Sequence, residues 1–148
     1  MSTGENVLYE KLVSDNNEIK NMLSDRANKV NKDNLAKFYE AVETSKSIGL
    51  ANIDCLINDE YEIDRTAIVE KIKKANEHFI SIQGCAGSGK SVIGKKLVEN
   101  ESLILYARAE KFVQEKRISD IWHCNLDEVL NELAERKVVF FIDALEFI

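Results

Sequence analysis

Phe79-Ile80-Ser81-Ile82-Gln83-Gly84-Cys85-Ala86-Gly87-Ser88-Gly89-Lys90-Ser91 ends in the eight-residue pattern G-x-x-x-x-G-K-S. Glycines in such a loop let the backbone take positive φ and approach a polyphosphate with no Cβ in the way. The turn then aims successive N–H groups, and the N-terminus of the following helix, at negative oxygens. The pattern makes Gly84, Cys85, Ala86, Gly87, Ser88, Gly89, Lys90 and Ser91 the candidate phosphate cradle. Lys90 is the cation that reaches the β/γ-phosphates and serves their transfer, and the Ser91 hydroxyl is a ligand for Mg²⁺. Residues 79–83 read as a strand entering the loop, and residues 91–99 read as a helix leaving it. That strand–loop–helix setting separates a nucleotide loop from a glycine-rich turn that binds nothing.

Downstream, strands and helices alternate. Leu103-Ile104-Leu105-Tyr106-Ala107 is a continuous apolar run, the pattern of a strand covered on both faces. A short helix is expected over 110–116. Asn125 is placed to cap another through Arg136, with Glu128 closing a capping box and Val129, Leu130 and Leu133 facing inward. Val138-Val139-Phe140-Phe141-Ile142-Asp143 then gives a buried strand ending in a carboxylate. This order predicts an α/β fold with a parallel sheet, three of whose strands are visible. An apolar run ending in Asp at the C-terminal edge of such a sheet is the Walker B arrangement. Asp143 is therefore the second candidate Mg²⁺ residue, acting through water. Glu146 is placed to orient or deprotonate an attacking water, the alternative being an exposed loop carboxylate.

Upstream, residues 7–47 read as helical. Leu8, Leu12, Ile19, Met22, Leu23 and Val30 share one face, and Asp15 and Arg26 interrupt that seam. The interruptions favour a short amphipathic helix against a neighbour over a long coiled coil. Asp33 or Asn34 is placed to cap a second helix carrying Leu35, Phe38, Tyr39 and Val42, which stops near Gly49. Residues 48–61 fit both a strand and a helix and read as a connection. Asp64 is placed to cap a helix through Asn76, with Ile68, Val69, Ile72 and Ala75 on one side. Two regions result: a helical one over 1–60 and the first part of a nucleotide-binding domain over 61–148. The first serves either as an arm for a protein partner or self-association, or as padding for the second.

The totals agree with a globular protein: 45% hydrophobic and 31% charged residues in a chain of 148. A net charge of -6 argues against a large nucleic-acid footprint. Cys55, Cys85 and Cys124 form no C-x-x-C pattern, so neither a disulfide framework nor a zinc site is expected, and the cytoplasm is the simplest home. His123-Cys124 lacks partners at metal-ligand spacing. Cys85, at a variable position inside the loop, is either a small spacer or a thiol that makes nucleotide binding sensitive to alkylation. No stretch approaches a membrane span.

Residues 64–148 resemble the STAND class of P-loop NTPases, the NACHT-like signalling ATPases related to AAA+ proteins. The resemblance rests on Asp64-Arg65 opening a helix, on the phosphate loop, on Leu103-Ile104-Leu105-Tyr106-Ala107-Arg108, and on Asp143-Ala144-Leu145-Glu146. In that family the Walker B Asp is followed by two small or apolar residues and then an acid. The resemblance implies ATP and Mg²⁺ as cofactors, hydrolysis in the full-length protein, and an ATP-driven switch with an effector before the ATPase and a sensor after it. Several members act in defence. It also implies a fourth and fifth strand, a sensor and a helical lid beyond Ile148, so that the chain reads as an N-terminal part, incomplete for turnover by itself. Family sheets place a later strand between residues 79–83 and 138–142, which would then run parallel without pairing. Two other functions compete: a small P-loop kinase, in which those strands pair directly, and a helical interaction module with a degenerate nucleotide core.

Overall fold

The computed structural model describes residues 3–57 and 60–144. A single helix, α1 (Thr3–Thr44), is followed by a π-helical turn over Ser45–Leu50. A two-stranded antiparallel hairpin follows, β1 (Leu56–Ile57) against β2 (Tyr61–Glu62). Then come α2 (Thr66–Ala75), α3 (Lys90–Val98), β3 (Leu103–Arg108), α4 (Glu110–Gln114), α5 (Ile118–Trp122), α6 (Leu126–Glu132) and β4 (Val138–Asp143). The fold is mixed α/β, and β3 and β4 pair in parallel, Leu103 beside Val138 through Arg108 beside Asp143. No helix among the described residues is long and apolar enough to cross a membrane.

Three expectations are corrected. The N-terminal region is one α-helix of 42 residues rather than two. No Pro or Gly interrupts residues 5–44, and the polar pair expected to cap a second helix is otherwise engaged. Asp33 forms an i,i+4 ion pair with Lys37 at 2.8 Å, and the Asn34 amide donates to the Glu128 carboxylate. The same contact removes Glu128 from its expected capping box, and Asn125 makes no side-chain cap bond either.

The third correction concerns residues 79–83, which form no strand; among the described residues the parallel sheet has two strands, not three. A strand needs a ladder partner for its N–H and C=O groups, and among the described residues this segment has none. Phe79 is 84% exposed and Ile80 is 45% exposed.

The core lies on both faces of β3. On one side Leu103, Leu105 and Ala107 pack with Phe38 and Val42 of α1, Trp122 of α5, and Val129 and Leu133. On the other, Ile104 packs with Leu50 and Ile53, flanked by Val92, Tyr106 and Phe141. The free edge of β3 is closed by side chains. The Tyr106 N–H donates to Ser45 Oγ at 2.9 Å, and the Tyr106 carbonyl accepts from Trp122 Nε1 at 3.2 Å. Ser45 is buried and its hydroxyl donates to the Ala41 carbonyl at 2.7 Å, so the π turn is anchored at its first residue. Gly49 lets that turn lie against Tyr106, since a Cβ there would sit 2.4 Å from the ring.

Candidate functional site

The loop after residue 83 turns back on itself and enters α3. The Ser88 N–H donates to the Cys85 carbonyl at 3.2 Å, and Gly87 and Gly89 take φ of 74° and 79°. Both values lie where a side chain is strained. At Gly87 that conformation alone requires glycine, because a Cβ would meet nothing within 4 Å. Gly84 is different: a Cβ there would meet Ser88 Oγ at 2.8 Å. Lys90 bends over the loop and donates to the carbonyls of Gly84 and Cys85, both at 3.0 Å. Its ammonium is thus held against the loop backbone.

The loop and the end of β4 meet. Ser91 Oγ donates to Asp143 Oδ1 at 2.7 Å, joining two residues 52 positions apart. Asp143 is braced from several directions. Its Oδ1 also accepts from the Ala144 N–H at 3.0 Å, its carbonyl accepts from the Ala109 N–H at 2.8 Å, and Tyr106 Oη lies 3.4 Å from Oδ2. Ala144 has φ of 62°, unfavourable for a residue with a Cβ. Burial raises the Tyr106 pKa, and the Asp143 carboxylate raises it further. A hydroxyl and a carboxylate are hard oxygen donors, the type that Mg²⁺ prefers, so Ser91 and Asp143 fit that ion. Among the described residues no three His, Cys, Asp or Glu side chains form a metal-holding cluster. His123 is exposed and Cys124 buried, with burial holding its thiol above the ordinary range.

Beside the loop is a cavity of about 400 Å³, within the range of small-ligand pockets. Leu56, Ile57, Ile63 and Val92 supply an apolar wall, and Arg65, Lys90 and Ser91 a polar one. The hairpin is held over α3 by Lys96, which ion-pairs with Glu62, and by Lys95, which donates to the Ile53 carbonyl at 2.8 Å. Arg65 stands next to α2, whose first turn is fixed by Asp64 Oδ1 accepting from the Thr66 N–H at 2.9 Å. From there Arg65 donates to the Ser88 carbonyl at 3.2 Å, adding a second cation to the loop.

Of the candidates drawn from sequence, residues 84–91 and Asp143 come together at one place. Glu146 lies outside the described residues. Not legible in the sequence were the hairpin wall, the contact of Arg65 with the loop, and the contact of Tyr106 with Asp143. The alternation of Ile53, Cys55 and Ile57 was the available signal for the hairpin, but strands of two residues are too short for periodicity to separate from a helix face. No protein-family model, curated protein or solved structure matches the chain.

Proposed function

We propose that the chain is the ATP- and Mg²⁺-binding part of a STAND-like signalling or defence NTPase switch that hydrolyses nucleotide in the full-length protein. The observation that carries this reading is the contact between Ser91 and Asp143, 2.7 Å apart, beside a loop whose lysine overhangs its backbone. A glycine-rich turn that binds nothing has no reason to bring a hydroxyl at a helix start to a carboxylate at a strand end.

In this reading the loop N–H groups and the N-terminus of α3 receive the phosphates, and Lys90 exchanges the Gly84 and Cys85 carbonyls for β/γ-phosphate oxygens. Arg65, tied to the Ser88 carbonyl, stiffens the loop and adds positive charge. Ser91 and Asp143 hold Mg²⁺, which when bound neutralises phosphate charge. The apolar wall of Leu56, Ile57 and Ile63 takes the base, adenine being the default. Glu146, three residues beyond Asp143, orients or deprotonates water. The kinase alternative requires a direct ladder between residues 79–83 and β4; the ladder to β4 among the described residues comes from β3.

Calorimetric titration of the intact protein with Mg·ATP tests the assignment. Lys90→Ala removes the cation aimed at the β/γ-phosphates and is expected to abolish binding; unchanged affinity contradicts the reading. Glu146→Gln is expected to leave affinity intact and slow hydrolysis about a hundredfold, the effect of losing a general base. Equal turnover would make Glu146 a loop carboxylate.

A further inference from the structure

Among the described residues α1 packs on the core through its C-terminal turns, with Leu35, Phe38, Ala41 and Val42. Ahead of them every described side chain from Val7 to Asp33 is exposed, including Leu12 (56%), Ile19 (55%), Met22 (65%) and Leu23 (61%). A helix this long is not stable on propensity alone, and an exposed apolar face calls for a partner.

The charges that break the apolar seam identify it. Leu12, Asp15, Ile19, Met22 and Arg26 follow alternating steps of three and four, the spacing of the two seam positions of a coiled coil. In a parallel pair Asp15 would stack on Asp15 and Arg26 on Arg26. In an antiparallel pair each residue meets one whose number adds with its own to a constant. The register that sets Ile19 against Met22 also sets Asp15 against Arg26, twice over by the two-fold axis. Shifting that register by a heptad either way leaves Asp15 facing Ile19 or Arg26 facing Met22. One arrangement therefore satisfies both interruptions.

We propose that α1 pairs with α1 of a second copy of this chain, antiparallel, with Ile19 against Met22 at the centre and Asp15 against Arg26 on either side. Leu12 then meets Lys29, whose aliphatic stem covers it while its ammonium reaches water. The two copies overlap over residues 12–29, about 25 Å of helix at 1.5 Å per residue. Glu18 faces Asp25 along one flank, a like-charge contact that keeps the pair reversible. The surface is self-complementary and closes as a two-fold dimer. It stands apart from the nucleotide site and does not depend on that assignment.

Sedimentation of the intact protein over a range of concentrations tests the register. The parent is expected to dimerise. D15R gives one chain two positive seam positions and R26D gives the other two negative ones, so each variant alone meets like charges. Each should self-associate about tenfold or more weakly, the effect of two disfavoured exposed pairs. An equimolar mixture of the two should recover parental affinity, because every charged layer of the mixed pair joins opposite signs. The double variant D15R/R26D should recover it as well, and helix content by circular dichroism should be unchanged throughout. A monomeric parent, variants that associate as tightly as the parent, or a mixture no tighter than its components would each overturn the proposal.

Discussion

At the scale of single residues, the site depends on where backbone and thiol groups lie. Cys85 is exposed in the loop, its carbonyl shared between Lys90 and the Ser88 N–H, whereas Cys124 is buried. Burial holds the Cys124 thiol above its ordinary range, so its reactive thiolate is scarce near neutral pH. A maleimide is therefore expected to label Cys85 in the native protein and Cys124 only after unfolding. Mg·ATP should protect Cys85, and prior labelling should block nucleotide binding. Peptide mapping by mass spectrometry reads all of these outcomes; labelling of Cys85 indifferent to nucleotide would detach the loop from the ligand. The candidate loop over 84–91 was legible from sequence because the chemistry proposed for it fixes residue types at fixed spacing. Arg65 and Tyr106 were not, since their roles arise from contacts 23 and 37 positions away that no local pattern encodes.

At the scale of elements, α3 and β4 approach closely because Gly94 carries no side chain. A Cβ there would lie 2.5 Å from Phe141, whose ring is itself set edge-on to Tyr106 at 5.4 Å. Gly94→Ala is expected to lower stability: overpacking costs about 1–3 kcal/mol, which offsets the gain of about 1 kcal/mol from better helix propensity. A lower urea midpoint with unchanged slope checks this, and a rise in midpoint would show that the ring yields. Elements with strong apolar runs, β3 and β4, fall where the sequence pattern sets them. The helix of residues 3–44 did not read as one element, because Asp33 and Asn34 look like a cap until their real partners, Lys37 and Glu128, are known. The strand expected over 79–83 failed for a similar reason. Its residue types suit a strand, but strand formation is decided by a neighbour, and Phe79 and Ile80 have none.

At the scale of the molecule, two separate pieces of chain line one pocket, the hairpin with Arg65 and the glycine-rich loop with the start of α3, and the end of β4 joins them through the Ser91–Asp143 contact. In the function proposed here these pieces receive a single nucleotide, with the hairpin on the base and the loop on the phosphates. Hydrogen exchange of the intact protein, read by mass spectrometry with and without Mg·ATP, tests it most directly. Slowed exchange is expected in residues 84–91 together with 54–65, and none in residues 7–33 of α1. Unchanged exchange at 84–91, or protection confined to another part of the chain, would contradict it.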